Sequence, residues 1–134
     1  MLGYYLMFNN NCSQALETYQ SIFDAEVTEL QRYGDMPPNP EFPIPDEQRK
    51  LILHARLKIG EMELMCADAS EQSSPGNNMF ITITTFDPSY LQKVWDVLKE
   101  DGEIFMDLKP SFFAAAHGSL RDKYGVNWMF TALK

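Results

Sequence analysis

The chain has 134 residues, 45% hydrophobic and 22% charged, enough for one folded domain to bury a core without disulfide or metal staples. Its formal net charge is −8, with 11 Lys plus Arg, so the basic face that a nucleic-acid partner requires is not expected. No apolar run approaches the ~20 residues of a membrane span and no leader-like segment opens the chain, so a soluble, cytoplasmic protein without a membrane partner is expected.

Leu2–Phe8 (LGYYLMF) is a continuous apolar, aromatic-rich run, as in a strand covered on both faces. Asn11 with Gln14 three residues on has the form of a capping box. Beyond it Cys12, Ala15, Leu16, Tyr19, Ile22 and Phe23 fall on one face at helical spacing. Residues 26–32 (EVTELQR) alternate and predict a strand. Gly34–Gln48 holds five prolines, which excludes a helix or a central strand. Long segments of this kind are usually lids, binding loops or partly disordered. Met36, Phe42 and Ile44 are spaced as if they rest on something, so the segment is expected to cover a cavity mouth or pack on a partner chain.

Lys50–Asp68 predicts a hairpin with Leu51, Leu53, Ala55, Leu57 and Ile59 on one face and Gly60-Glu61 at the turn. Ser70–Asn78 (SEQSSPGNN) is polar and breaker-rich, a linker. Then comes the extended run Met79–Phe86, followed by a helix opened by Asp87-Pro88, with Leu91, Val94, Trp95 and Leu98 on its buried face and Gly102 beyond its end. Gly102–Leu108 predicts a strand, and Ser111–Leu133 two more joined by a turn near Asp122–Gly125. Cys12 and Cys66 lack CxxC spacing and are read as buried small hydrophobes of a reducing compartment.

The order of elements occurs twice. Asn11 maps onto Asp87 at an offset of 76, and the same offset carries Tyr4 onto Phe80 and Leu6 onto Thr82. The predicted fold is therefore α+β: two tandem βαβββ modules forming a curved, barrel-like mixed sheet around a cavity, helices outside. Residues 1–134 make one such domain, with module one over about 1–69, a linker over about 70–77 and module two over about 78–134.

Three segments carry a family resemblance: LMFNNNCSQALETYQSIFDAEV, LILHARLKIGEMELMCADA and FFAAAHGSLRDKYGVNWMF. They resemble the PhnB-like branch of the vicinal oxygen chelate superfamily, which includes glyoxalases, ring-cleaving dioxygenases and antibiotic-resistance proteins. DKYGVNW (Asp122–Trp128) is the most specific piece. Asp24 stands where the family usually has glycine, and Phe113 where many members have tryptophan. The resemblance implies a homodimer in which modules of two chains complete each other's sheets. It also implies, for the superfamily's enzymes, a divalent metal held by His, Glu or Gln from the first and last strand of each module.

Counted from the helices and turns, those positions fall at Tyr4 and Phe80 on the first strands, and at Leu64 and Met129, or Glu63 and Trp128, on the last strands. Tyr5, Met79 and Ile81 flank them. Aromatic and methionine side chains do not replace hard or imidazole ligands, and a lone Glu63 is not a site. No metal or other cofactor is therefore expected. The ligand-pocket candidates are Tyr4, His54, Glu63, Phe80, Phe112, Phe113, His117 and Trp128. His54 lies opposite the Leu53–Leu57 face, as a pocket contact or a half-buried histidine bonded to a neighbouring strand. His117 follows the small-residue run Ala114–Ala116, at a cavity edge or at a strand bend with Gly118 as a bulge. Trp128 suits the core as well as a pocket wall.

Two functions follow. One is a pocket protein binding a small organic ligand in an aromatic- and methionine-lined cavity without a metal. The alternative is a metal-dependent lyase, isomerase or dioxygenase of the glyoxalase type. PhnB-like sequences often carry a ubiquinone-pathway methyltransferase label, but no glycine-rich loop follows the first strand to hold a methyl donor.

Overall fold

The computed structural model describes residues 2–69 and 72–134; Ser70 and Glu71, which open the expected linker, lie outside the described residues. The chain runs β1 (Tyr4–Phe8), α1 (Cys12–Phe23), β2 (Glu26–Arg32), a 3-10 turn (Tyr33–Asp35), α2 (Asp46–Arg49), β3 (Ile52–Ile59) and β4 (Met62–Asp68). It continues with β5 (Ile81–Thr85), α3 (Pro88–Leu98), β6 (Glu103–Lys109), β7 (Ala116–Arg121) and β8 (Asn127–Ala132). The sheets are ordered β1-β4-β3-β2 and β5-β8-β7-β6, within compact units Met1–Ser73 and Ser74–Lys134. In each, the first strand pairs parallel with the last and the other pairings are antiparallel. The two-module α+β fold is thus present, but as two open four-stranded sheets in place of one barrel-like sheet of eight strands.

In the first unit, Leu57, Leu64, Ala55 and Cys66 form paired rows of fully buried side chains on β3 and β4. The buried face of α1 (Cys12, Ala15, Leu16 and Tyr19) packs on these strands. The expected capping box is absent, for the Asn11 side chain makes no cap bond. Tertiary structure supplies the cap. Asp68 Oδ1 accepts the Cys12 N–H at 2.9 Å, while Oδ2 accepts the Ile52 N–H at 2.9 Å. At the other end of α1, Asp24 takes the left-handed conformation (φ 51°) that glycine usually supplies, and the Ala25 N–H closes on Gln20 O at 3.2 Å. The Gly60-Glu61 turn has the positive φ (59°) at its first residue that a primed hairpin turn requires.

In the second unit, Asp87 caps α3, accepting from the Ser89 and Tyr90 N–H groups at 3.0 and 3.2 Å and from the Ser89 hydroxyl at 2.6 Å. Trp95 of α3 meets Phe130 of β8 edge to face, centroids 5.0 Å apart. Asp122 organises the β7–β8 turn. Its carboxylate accepts the Tyr124 and Val126 N–H groups and the Trp128 indole N–H, at 2.9, 3.0 and 2.9 Å. The bulge expected at Gly118 sits in the partner strand instead. The β6–β7 register shifts between Met106 and Lys109, and a Cβ on Gly118 would come 2.9 Å from the Leu108 backbone.

Two further expectations are corrected. β1 is not covered on both faces: it lies at a sheet edge, bonded to β4 alone, and Tyr4, Tyr5 and Met7 are nearly half exposed. The Pro-rich segment is not free of helix, because its last residues enter the single turn Asp46–Arg49 beyond the final proline, Pro45. Within it Met36 and Ile44 are partly buried, whereas Phe42 is 73% exposed.

Asp68→Ala strands two buried N–H donors and is expected to destabilise the fold by about 2–5 kcal/mol, read by urea denaturation. The bonds from the Ser89 hydroxyl and the Tyr90 N–H hold the Asp87 carboxyl below its usual range, so its capping contribution is present at neutral pH and fades as pH falls through that lowered value. Asp87→Ala is accordingly expected to lower Tm at pH 7, with the gap from the unmodified protein shrinking in acid.

Candidate functional site

Alternation gives each sheet a helix-packed face and an open face. In the first sheet the paired residues Tyr5 and Met65 lie on the open face, with Arg56 opposite Met65, and Tyr4 pairs with buried Leu64 on the other. Tyr5 Oη lies 2.9 Å from His54 Nδ1, with the rings 5.7 Å apart. The bond crosses β4, which separates β1 from β3 in the sheet. Met7, two residues along β1, shares the open face. Arg56 lies between Glu29 (Nε to Oε2, 3.1 Å) and Glu63 (Nη1 to Oε2, 3.6 Å), at an angle that leaves Nε without a hydrogen bond. Both pairs are well exposed and contribute little to stability; they do balance the cation on this face.

Of the residues singled out from sequence in this module, His54 and Glu63 share the open face and Tyr4 does not. The residue that meets His54 is Tyr5. Two consecutive tyrosines point to opposite faces, and only the parallel register with β4 decides which faces where. The slip has a local cause. Three residues (Asn9, Asn10, Asn11) join β1 to α1, whereas two (Phe86, Asp87) join β5 to α3, so a single offset cannot align both strands and helices.

In the second sheet Trp128 is buried, paired with Ile81 and Leu120 on the α3 side, and is core. The open face carries Thr82, Met129 and Ser119 in one paired row and His117 with Thr131 in another. His117 Nδ1 lies 3.1 Å from Thr131 Oγ1, and its ring packs edge-on to Phe113 at 4.9 Å. Phe112 contacts Phe113 but is 93% exposed. Phe80 meets Phe105 edge to face, and Arg121 stacks over Phe105 at 5.2 Å. Arg121 also donates to Asn127 Oδ1, Glu103 Oε2 and Gly76 O, at 3.1, 3.3 and 2.7 Å, tying the entry into β5 to the sheet. Sequence reading passed over Arg121, which has no spacing signature of its own.

The metal that the superfamily resemblance implies finds no fitting donor set. The open-face residues of the first and last strands are Tyr5, Met7, Glu63 and Met65 in one module and Thr82, Thr84, Asn127, Met129 and Thr131 in the other. Neither contains an imidazole, the one carboxylate is ion-paired with Arg56, and burial raises the pKa of the Tyr5 phenol. Among the described residues no group of three or more His, Cys, Asp or Glu is placed to hold a metal ion.

A pocket of about 420 Å³ lies elsewhere in the first unit, lined by Asn9, Asn10, Tyr33, Gln48, Leu51, Ala69 and Gln72. It is mostly carboxamide-walled, unlike the aromatic and methionine-lined cavity expected from sequence, and none of the singled-out residues lines it. Asn9 is held by Ser73 through bonds of 2.8 and 2.7 Å, and the Tyr33 hydroxyl donates to Asp68 O at 2.9 Å.

Tandem βαβββ modules with this strand order define a protein of the vicinal oxygen chelate superfamily. Within it the chain belongs to the PhnB-like branch: the model of the family described as 3-demethylubiquinone-9 3-methyltransferase matches residues 2–131. Protein YjdN of Escherichia coli (strain K12) is 29% identical over 143 residues, covering 99% of this chain and 95% of YjdN. Among solved structures, protein PA1353 from Pseudomonas aeruginosa has a TM-score of 0.85 at 27% identity, covering 99% of this chain and 97% of that one. The PhnB protein from Bacillus cereus has a TM-score of 0.80 at 28% identity, covering 98% of each chain. No helix among the described residues is long and apolar enough to cross a membrane.

A protonated Tyr5 that donates to Nδ1 leaves the His54 ring proton on Nε2, available to a ligand oxygen. Nitrogen-15 NMR is expected to find His54 mainly as the Nε2–H tautomer, and Tyr5→Phe to redistribute the proton between the two nitrogens.

Proposed function

We propose that this PhnB-like protein binds a small organic molecule on the open face of its first sheet, without a resident divalent metal. Tyr5 and His54 are the polar contacts, and Met7 and Met65 give an adaptable apolar surround. The observation that carries the reading is the 2.9 Å Tyr5–His54 contact, with its tyrosine on the first strand, where the superfamily's enzymes take a metal ligand. The imidazole Nε2–H can donate to a ligand oxygen, and the phenol oxygen, its proton committed to His54, can accept from a ligand hydroxyl, both without further charge; Arg56 beside them is balanced by Glu29 and Glu63. The ligand class is therefore a neutral or weakly polar molecule with a carbonyl or hydroxyl group. Methyl transfer is not part of this reading: β1 leads into α1 through Asn9, Asn10 and Asn11, with no glycine-rich loop to hold a methyl donor.

The working form in this proposal is a cytoplasmic homodimer. Exposed apolar side chains support the dimer: Leu2, Tyr4 and Met7 in and beside β1, and Ile104, Phe105 and Met106 on β6. Two free cysteines are compatible with a reducing compartment.

Calorimetry of purified protein against Mn, Ni, Zn and Fe salts is expected to detect no stoichiometric site of micromolar or tighter affinity, and such a site would overturn the metal-free reading. Ligand-detected NMR with a library of small ketones, enones and phenols is expected to yield binders that weaken about tenfold in Tyr5→Phe, the loss of one hydrogen bond. Binders indifferent to both Tyr5→Phe and His54→Gln would move the site off this face.

A further inference from the structure

One end of the first sheet forms a pocket that the Tyr5–His54 face does not use. The chain leaves β1 through Asn9 and Asn10, leaves β2 at Tyr33, enters β3 from Gln48 and Leu51, and leaves β4 towards Gln72. These turns enclose about 420 Å³, within the roughly 300–1,000 Å³ of small-molecule sites. Hydrogen bonds fix the walls. Asn9 Nδ2 donates to Ser73 O at 2.8 Å, and its Oδ1 accepts the Ser73 N–H at 2.7 Å. The Tyr33 N–H donates to Leu51 O at 3.0 Å, and the Tyr33 hydroxyl is committed to Asp68 O at 2.9 Å, which holds the phenol ring in place. Asn10 keeps a left-handed backbone (φ 67°), a conformation that asparagine tolerates better than most residues.

The chemistry of the wall selects its occupant. No Lys, Arg, His, Asp or Glu is among the described residues that line the pocket, so a phosphate or carboxylate would be desolvated there without a counter-charge. A purely apolar molecule would instead leave carboxamides unpaired. The exposed Asn10, Gln48 and Gln72 side chains each offer two N–H donors and a carbonyl acceptor. Hydroxyl groups likewise donate and accept, and the C–H face of a sugar ring suits the Tyr33 ring and the Leu51 side chain. We propose that this pocket is a second binding site, for an uncharged polyhydroxylated ligand of the monosaccharide class. It is independent of the function proposed above, because none of Tyr5, Met7, His54 and Met65 lines it.

The test is a proton–nitrogen NMR titration of the full chain with glucose, galactose and N-acetylglucosamine, compared with glucuronate, a hexose phosphate and adenosine. The expected result is a saturable shift of the Asn10, Gln48 and Gln72 side-chain amide signals with at least one neutral sugar at millimolar concentration. The charged sugars should respond more weakly or not at all. Asn10→Gly, which keeps the left-handed backbone, and Gln72→Ala should each weaken binding about tenfold. Side-chain amides unmoved by every neutral sugar at tens of millimolar would overturn the proposal. So would charged sugars that bind as well as neutral ones, adenosine binding in place of sugars, shifts centred on Tyr5 and His54, or unchanged affinity in both variants. The titration of the unmodified chain is decisive even where a substitution fails to fold.

Discussion

The Asp68 side chain, 2% exposed, accepts the amide protons of Cys12 and Ile52 and so joins the last residue of β4 to the first residues of α1 and β3. A buried carboxylate is costly unless donors surround it. Here the donors are backbone groups that would otherwise be orphaned, one at the helix start and one at the strand start. The Asp68 carbonyl in turn accepts the Tyr33 hydroxyl, bringing in the chain just after β2. One residue thus fixes where α1 begins, how β3 enters the sheet and where the Pro-rich excursion departs. The alignment of β3 against β4, on which the Tyr5–His54 contact depends, is set by this junction and by the buried leucine and cysteine rows.

The second module solves the same problem with different residues. Asp87 caps its own helix locally, within three residues, whereas α1 borrows its cap from a strand distant in sequence. Asp122 ties the β7–β8 turn to the Trp128 indole, doing for β8 what the Gly60-Glu61 turn does for the first hairpin with little side-chain help. Repetition of a fold in one chain requires matching strand order and helix placement. It does not require matching caps.

The open faces carry different chemistry. The first offers a phenol–imidazole pair, two methionines and a balanced arginine. The second is rich in hydroxyls, with His117 turned to Thr131 and Phe113, and with Arg121 committed to backbone and side-chain acceptors. Such a distribution suits recognition by a few hydrogen bonds on apolar ground better than charge-driven binding. It also departs from the carboxylate and imidazole set by which superfamily enzymes hold a metal.

The repeated βαβββ order, the helical faces of α1 and α3, the Gly60 turn and the Asp122–Gly125 turn were legible in the sequence, because periodicity and turn chemistry are local. Asp24 shows the limit of that locality: the glycine usual in the family at this position pointed to a special turn, but only the helix end itself imposes the left-handed conformation on an aspartate. The faces of Tyr4 and Tyr5 were not legible. Adjacent residues on a strand point in opposite directions, and a one-residue difference between the β1–α1 and β5–α3 links is enough to exchange them. The partner of His54, the distant cap on α1 and the bulge opposite Gly118 all join residues brought together from separate elements. Sequence by itself determined which segments become strands and helices, through spacing of apolar residues. Only tertiary structure decided which side chains share a face, because that depends on strand register, and register is set by non-local pairing.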